Sequence, residues 1–373
     1  MKRAVAVAWV GFVLAACGAA CGAAWSEGAA AEGAAAKVAA GPESGAAAEA
    51  SDAAADAPAQ KEETQKGDEK ADEKARDGGK EAKKAPAKLK APERVFFIGH
   101  SLISDVPDMV GALCAAAPVA KYSFKEQFIP GAPLRWQWEQ EQRAKAPGYV
   151  SDFEPRFRGG YHVELAKGGW DALVLVEGVP IGARENEALT IDYLARFANF
   201  ARQHNPGIRV VFYEPWPCIH SGTPKGCSYD EKSPTRELVW RERLEADGAM
   251  WKRIVDGASD KLEGGGARIE LVPVARALGK LADAVQGGEL EGFTKLEQFF
   301  EDEVHLSAYG KYYAALVVWS HLYQRSPVGR PVAVSDRWSN PYWDNAKFNR
   351  LVPAPKVAVA KRMQEIAAKA LGY

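Results

Sequence analysis

The sequence predicts an α/β domain built on a doubly wound, mostly parallel sheet of about five strands. Short runs of β-branched and aromatic residues have the length and composition of strands that are buried on both faces. Helical patterns separate these runs, so right-handed crossovers would leave the strands parallel. The predicted strands lie at residues 95–98, 122–129, 171–178, 209–214 and 269–274.

Helices are predicted between and after these strands from apolar spacing and from residues that end helices. Gly168 and Gly169 end one helix, and Asn205-Pro206-Gly207 ends another. The sequence contains no internal repeat. The predicted helices lie at residues 106–113, 134–143, 161–167, 188–204, 236–261, 275–285, 307–324 and 355–371.

Residues 1–21 are predicted to be a signal peptide with a lipobox. Met1-Lys2-Arg3 is positively charged, and the apolar segment that follows is too short to span a bilayer comfortably. It ends in Leu14-Ala15-Ala16-Cys17, which resembles the lipobox of bacterial lipoproteins and implies lipidation at Cys17. We therefore expect an exported, membrane-anchored lipoprotein in the periplasm or at the cell surface. Ordinary secretion with cleavage nearby and an uncleaved anchor are the alternatives.

Residues 22–92 are predicted to be a disordered tether, and residues 93–373 a single large α/β domain. The tether is mostly Ala, Gly, Glu, Asp and Lys, and it cannot bury enough apolar surface to offset the entropy of ordering. The chain has 48 basic and 49 acidic residues, a balance that gives no indication of nucleic acid binding. A small or neutral substrate fits this balance better. Membrane contact is expected through the lipid anchor alone.

The cysteines and histidines of the predicted domain indicate a disulfide rather than a metal site. Cys218 and Cys227 flank a turn-rich loop, and an exported chain can oxidise them. Cys114 lies on the apolar side of a predicted helix and is expected to be a buried free thiol. No metal is predicted, because four histidines are scattered without ligand spacing, at positions 162, 204, 220 and 321.

Two polar segments are candidates for catalysis. Ser101 follows the first strand, between a strand end and a helix, where open α/β folds place their chemistry. Asp302 precedes His305 by three residues, just before another predicted helix. A histidine can take the proton of a serine, and an aspartate can fix the tautomer and stabilise the imidazolium that forms. Taken singly, Ser101 could be an ordinary turn residue and Asp302 a solvated helix cap.

Together these segments resemble the SGNH, or GDSL-like, hydrolases. The resemblance rests on Phe97-Ile98-Gly99-His100-Ser101-Leu102 and on Asp302-Glu303-Val304-His305 with Gly310. It spans most of residues 94–325. The resemblance implies a three-layer, flavodoxin-like fold with esterase or deacetylase activity, and no cofactor is predicted.

The resemblance also implies a role for each matched residue. Ser101 would be the nucleophile, His305 the general base and Asp302 its orienting acid. Gly131, which follows the second predicted strand, would supply a backbone N–H to the oxyanion hole. That role suits glycine, because its backbone can approach a tetrahedral intermediate closely.

The sequence departs from the family pattern at two positions. His100 stands where the family usually has Asp or Asn, and we expect it to be a hydrogen-bonding group rather than another base. Pro180 stands where an asparagine would donate to the oxyanion, and proline cannot donate. Losing one such donor costs about 3 to 4 kcal/mol of transition-state stabilisation. Glu177 is a candidate for lining this side of the site, where it could donate only if burial kept it protonated.

Residues at the end of the fourth predicted strand suggest the substrate. Glu214 is a candidate substrate contact, and Trp216 could stack on a sugar ring; otherwise they are core or loop-anchoring residues. We therefore predict an exported serine esterase that hydrolyses a short acyl ester, an acetyl group on a carbohydrate or another small ester. An O-acyltransferase acting on a polysaccharide is one alternative. A catalytically inactive cell-surface binding protein with the same fold is the other.

Overall fold

The computed structural model describes residues 90–115, 121–139, 160–179, 181, 186–227, 230, 233–332 and 353–373. The predicted signal peptide with Cys17, most of the predicted tether, and Pro180 lie outside these residues. In the described part of the chain, no helix is both long and apolar enough to cross a membrane.

One sheet of five parallel strands forms the centre of the domain. The strands are β1 (Arg94–Gly99), β2 (Ser123–Phe128), β3 (Ala172–Val176), β4 (Arg209–Tyr213) and β5 (Glu270–Val272). Their order across the sheet is β2-β1-β3-β4-β5, and all four pairings are parallel. This is the flavodoxin-like order of a doubly wound sheet, so the predicted fold class is confirmed.

Helices pack on both faces of the sheet. In the described residues they are α1 (Val106–Ala115), α2 (Leu134–Trp138), α3 (Tyr161–Ala166), α4 (Glu187–His204), α5 (Trp240–Asp260), α6 (Val274–Gln286), α7 (Ala308–Tyr323) and α8 (Val357–Ala370). Successive strand residues point to opposite faces. Val95 and Phe97 therefore join one apolar core with α1, α6, α7 and α8, whereas Phe96 and Ile98 join a second core with α3 and α4.

Two helices differ from their predicted bounds by more than two residues at one end. The helix α5 begins at Trp240 rather than at 236, because turns occupy the preceding residues: the N–H of Arg236 donates to Ser233 O at 3.3 Å, and that of Leu238 donates to Thr235 O at 3.1 Å. The helix α2 ends at Trp138, and the rest of the predicted helix, from 140 to 143, lies outside the described residues.

A buried arginine fastens the long loop between β4 and α5. Arg243 donates from Nη2 to Asp230 Oδ1 at 2.9 Å and from Nε to Asp247 Oδ2 at 3.3 Å. All three side chains are buried, and a charge in such a place is tolerated only when it is paired. Arg243 therefore holds the loop to α5 at Asp230.

The three cysteines of the described residues form the predicted disulfide and the predicted buried thiol. Cys218 and Cys227 form a disulfide within the loop that follows β4. Cys114 is a free, buried cysteine on α1, and burial raises the pKa of its thiol. The disulfide therefore constrains the same loop that Arg243 fastens.

Reduction of this disulfide is expected to lower the free energy of unfolding by about 2 to 3 kcal/mol, because the unfolded chain gains the freedom of a short loop. Urea unfolding with and without dithiothreitol measures the effect. The double variant Cys218→Ala/Cys227→Ala should be insensitive to the reductant. An identical urea midpoint for the unmodified protein in both buffers would contradict the prediction.

Candidate active site

Ser101 lies in a tight turn at the carboxyl end of β1. A Cβ atom on Gly99 would collide with the side chain of Val176 and lie 2.8 Å from Cγ2 of Ile103, so the close approach of these elements requires glycine here. The chain then forms a 3₁₀ helix, Ser101–Ile103, with Ser101 as its first residue. The serine is half-buried, so its hydroxyl group lies at the edge of the sheet rather than in the core.

His100 shapes this turn. Its buried ring donates from Nε2 to the backbone oxygen of Glu177 at 2.9 Å, and Nδ1 accepts from the N–H of Leu102 at 3.5 Å. A carbonyl oxygen can only accept and an N–H can only donate, so these partners select the neutral tautomer with the proton on Nε2. His100 is thus a hydrogen-bonding group that joins the serine turn to the end of β3, as expected from the sequence.

A short hairpin carries Asp302 and His305. Phe300 and Leu306 form an antiparallel bridge, and the N–H of Glu301 donates to the backbone oxygen of His305 at 2.8 Å. Ser307 then occupies the N-cap position of α7, with its hydroxyl group donating to Gln298 O at 3.1 Å. The hairpin is closed just before the helix begins, which fixes the position of its tip.

The loop after β4 supports the tip of this hairpin. Trp216 donates from Nε1 to Val304 O at 2.7 Å, and the N–H of Ile219 donates to Glu303 O at 2.9 Å. Trp216 is fully buried, so this hydrogen bond is shielded from water. Two backbone carbonyls of the Asp302–His305 segment are therefore held by the loop that follows β4, which also contains the disulfide.

Ser101, His305 and Asp302 form a continuous chain of hydrogen bonds. The Nε2 atom of His305 lies 2.8 Å from Ser101 Oγ, and Nδ1 lies 2.7 Å from Asp302 Oδ2. The carboxylate accepts the Nδ1 proton, which leaves Nε2 to accept the serine hydroxyl proton. The structure thus brings together the three residues that the sequence singled out, although 204 positions separate the serine from the histidine.

The Asp302 carboxylate is also fixed by the backbone. Its Oδ1 atom accepts the N–H groups of Val304 and His305, each at 2.8 Å. Burial by itself raises the pKa of Asp302, but the hydrogen bonds from the His305 ring and from these N–H groups lower it to about 2. The carboxylate is therefore ionised at neutral pH and can stabilise a positive charge on the imidazole ring.

Gly131 lies in the turn that follows β2. Its φ of 60° is in the left-handed region that favours glycine. The N–H of Ala132 donates to Ile129 O at 3.2 Å, and the N–H of Ile129 donates to Gly99 O at 3.0 Å. Because β1 and β2 are parallel neighbours, this turn and Ser101 lie at the same edge of the sheet.

The structure corrects the expected role of Glu177. This residue is fully buried, and its Oε1 atom accepts the N–H of Leu134 at 2.9 Å and that of Gly178 at 2.7 Å. These contacts use the carboxyl oxygen as an acceptor rather than as a donor to an oxyanion. Glu177 instead joins the end of β3 to the first residue of α2, and so supports the turn that contains Gly131.

The structure also corrects the expected roles of Glu214 and Trp216 as substrate contacts. Both side chains are fully buried. Glu214 pairs with Arg276, whose Nε lies 2.9 Å from Oε1, and Trp216 holds the backbone of Val304. They anchor the loops around the site, which is the alternative that the sequence left open.

A buried glutamine pair near Ser101 was not foreseen. Gln137 donates from Nε2 to the backbone oxygen of Gly99 at 2.6 Å, and Gln127 donates from Nε2 to Gln137 Oε1 at 3.0 Å. The pair fastens α2 and the end of β2 to the end of β1. In the sequence this pair is indicated only by two polar residues at inward positions, Gln127 in β2 and Gln137 in α2.

Among the described residues, one cluster of cysteine and glutamate side chains has its possible ligand atoms close together, but it does not indicate a metal site. The ligand atoms of Cys218, Cys227 and Glu303 lie within 4.8 Å of one another. The two cysteines there form the disulfide, so no thiolates are available as ligands.

Comparisons with known proteins yield matches among solved structures alone. No family model matches the chain, and no curated protein does. A DUF4886 family protein from Bacteroides uniformis shares 17% identity, with 75% of this chain and 95% of that chain covered and a TM-score of 0.47. The lipase/acylhydrolase from Enterococcus faecalis shares 12% identity, with 62% and 96% covered and a TM-score of 0.38. A carbohydrate esterase family 3 protein from Talaromyces cellulolyticus shares 15% identity, with 62% and 97% covered and a TM-score of 0.34.

The sheet order and the placement of Ser101 and His305 do not depend on these likenesses. The fold is the one that the SGNH resemblance implies. At identities and TM-scores this low, the matched structures say nothing about the reaction of this chain.

The Glu214–Arg276 pair is expected to make stability depend on pH. Burial raises the pKa of Glu214 to about 7 from an ordinary value of 4.5, because the half-exposed Arg276 guanidinium offsets only part of the desolvation. Between these values the folded protein keeps a proton that the unfolded chain has lost. The free energy of unfolding should therefore fall as the pH rises from about 4.5 to about 7.

Glu214→Gln should flatten this dependence, since the amide does not titrate. Urea midpoints measured at several pH values in this interval test the expectation. Glu242→Gln, at an exposed position on α5, is the matched control and should keep the slope of the unmodified protein. An unchanged slope in Glu214→Gln would refute the assignment.

Proposed function

We propose that this domain is an SGNH-type serine esterase that hydrolyses a short acyl ester. The observation that carries the proposal is the hydrogen-bond chain from Ser101 through His305 to Asp302. Such an arrangement activates a hydroxyl group that is otherwise a weak nucleophile.

In the proposed reaction, Ser101 Oγ attacks the ester carbonyl while His305 Nε2 takes the hydroxyl proton. The ionised Asp302 stabilises the imidazolium, which then gives its proton to the leaving alcohol. An acyl group remains on Ser101. Water attacks this acyl-enzyme with His305 again as the base, which releases the acid and restores the serine.

The proposed oxyanion hole consists of backbone N–H groups. Ser101 begins a 3₁₀ helix, and Gly131 lies in a left-handed turn at the same edge of the sheet. Their N–H groups would donate to the negative oxygen of the tetrahedral intermediate. Glu177 supports the turn that contains Gly131, because its carboxyl group accepts the N–H of Leu134, the first residue of the helix that follows this turn.

The proposed substrate is an acylated carbohydrate or another small, neutral ester, with acetyl as the acyl group. The balanced charge of the chain and its predicted export support this proposal. Trp216 and Glu214 do not support a carbohydrate substrate, since both side chains are buried. We further propose that the protein is exported and held at a membrane by a lipid on Cys17.

Ser101→Ala is expected to lower kcat/KM for p-nitrophenyl acetate by at least about 10³-fold, because the remaining groups cannot form an acyl-enzyme. The same variant should no longer react with a fluorophosphonate probe. Ser326→Ala, at an exposed serine, is the matched control and should behave like the unmodified protein.

Absence of both hydrolysis and labelling in the folded, unmodified protein would exclude the proposed esterase and leave a binding protein with the same fold. Where activity is present, acetate release measured with and without a sugar acceptor separates hydrolysis from acyl transfer. If the acceptor suppresses acetate release, the activity is acyl transfer rather than hydrolysis.

Cys17→Ser is expected to move the protein from the membrane fraction to the soluble fraction of the host cell, because a serine at this position cannot take the lipid. Metabolic labelling with a radioactive fatty acid and fractionation measure the change. Cys21→Ser is the matched control and should remain membrane-bound. Equal membrane fractions for Cys17→Ser and the unmodified protein would contradict lipidation at Cys17.

A further inference from the structure

Lys311 is a buried lysine that the proposed mechanism does not use. It lies in the first turns of α7, directly after the hairpin that carries His305, and is 3% exposed. No other lysine of the described residues is buried. An ammonium group is taken out of water at a high cost, so a buried lysine requires partners of opposite charge.

The partners of Lys311 come from the two segments that form the proposed active site. Its Nζ atom lies 3.4 Å from Asp105 Oδ2 and 3.4 Å from Glu301 Oε1. Asp105 follows Ser101 by four residues, and Glu301 immediately precedes Asp302. One ammonium group therefore bridges the serine segment and the histidine segment.

Asp105 fixes the exit of the serine turn. Its φ of 63° is in the left-handed region, which residues other than glycine seldom adopt and which persists only where the surroundings hold it. Its backbone oxygen accepts the N–H of Met109 at 3.0 Å in the first turn of α1. The buried carboxylate faces Lys311, so the ion pair holds the residue that links the serine turn to the helix.

Glu301 fixes the entry of the hairpin. Its N–H donates to the backbone oxygen of His305 at 2.8 Å, and its side chain reaches Lys311. The same residue therefore contacts the backbone of the histidine and the bridging ammonium. A shift of Lys311 would be transmitted to His305 through one residue.

We propose that Lys311 is a positioning residue that keeps Ser101 and His305 at hydrogen-bond distance. It touches neither substrate nor the reacting atoms, and acts through Asp105 on one segment and through Glu301 on the other. The inference rests on the proposed function, since it assigns Lys311 a part in the same site. Neither the sequence motifs nor the resemblance pointed to this residue.

Lys311→Met tests the proposal, because methionine keeps much of the length of the side chain and removes the charge. We expect kcat for p-nitrophenyl acetate to fall about 10- to 100-fold, because displacing the reacting groups by about 1 Å lowers the rate by up to about 100-fold. KM should change by less than about twofold, because Lys311 does not touch the substrate. Lys280→Met, at an exposed lysine of α6, is the matched control and should keep both constants.

A variant that removes both buried charges separates positioning from folding. Lys311→Met leaves Asp105 without its ammonium partner and can reduce stability for that reason alone. In Lys311→Met/Asp105→Asn the buried charges are removed together, so the melting temperature should recover while kcat stays low. Lys311→Arg, which keeps the charge, should retain more activity than Lys311→Met. Recovery of kcat together with the melting temperature would overturn the proposal.

The ¹⁵N NMR signals of the His305 ring provide a readout that does not need turnover. The unmodified protein should show the Nδ1–H tautomer with Nε2 accepting the hydrogen bond of Ser101. Folded Lys311→Met should keep the proton on Nδ1, because Asp302 lies in the same hairpin, but its Nε2 signal should shift because the hydrogen bond from Ser101 is lost. Failure of the proposed function would appear as an unmodified protein that neither hydrolyses the ester nor takes the probe. Failure of this inference would appear as folded Lys311→Met with unchanged ring signals and, where the unmodified protein is active, an unchanged kcat.

Discussion

The parallel pairing of β1 with a strand on each side is the constraint on which the rest of the structure depends. Gly99 pairs with Phe128 of β2, and Ile98 pairs with Leu175 of β3. The inner residues of β1 are buried on both faces, so the strand cannot shift without exposing two apolar cores. Because all three strands are parallel, their carboxyl ends meet at one edge of the sheet, where Ser101 lies.

The other half of the proposed active site comes from a distant part of the chain and is fixed mainly by polar contacts. Trp216 holds the hairpin tip through Val304, and Lys311 holds its entry through Glu301. The ion pairs of the buried Lys311 add little net stability, because desolvation opposes the attraction. They do restrict geometry, since a displaced partner would leave a buried charge unpaired. Their contribution here is to define where His305 lies relative to Ser101.

Much of the fold and the three hydrogen-bonded residues could be predicted from the sequence. The apolar runs are long enough to identify buried strands, and helical spacing between them indicates parallel connections. Ser101 stands out because Gly99 ends the apolar run before it, and His305 because Asp302 precedes it by three residues; the resemblance to the SGNH hydrolases joins the two segments. Such local features depend on neighbours in the chain, so a sequence displays them directly.

The roles of Glu177, Glu214 and Trp216 could not be predicted in the same way. Their position after a strand indicates the edge of the sheet but not whether the side chain turns outward or inward. That direction depends on partners far along the chain: the Glu214 carboxylate contacts Arg276, which is 62 positions away, and Trp216 contacts Val304, which is 88 positions away. The role of Lys311 could not be predicted for the same reason, since it depends on two carboxylates that only the fold brings close to its ammonium group.

The most direct test of the central claim is a crystal structure of the protein after reaction with diisopropyl fluorophosphate. The account predicts a phosphorus atom bonded to Ser101 Oγ, with the phosphoryl oxygen within hydrogen-bond distance of the backbone N–H groups of Ser101 and Gly131. His305 should remain paired with Asp302. An unmodified Ser101 in the treated, folded protein, or an adduct on a different residue, would contradict the account.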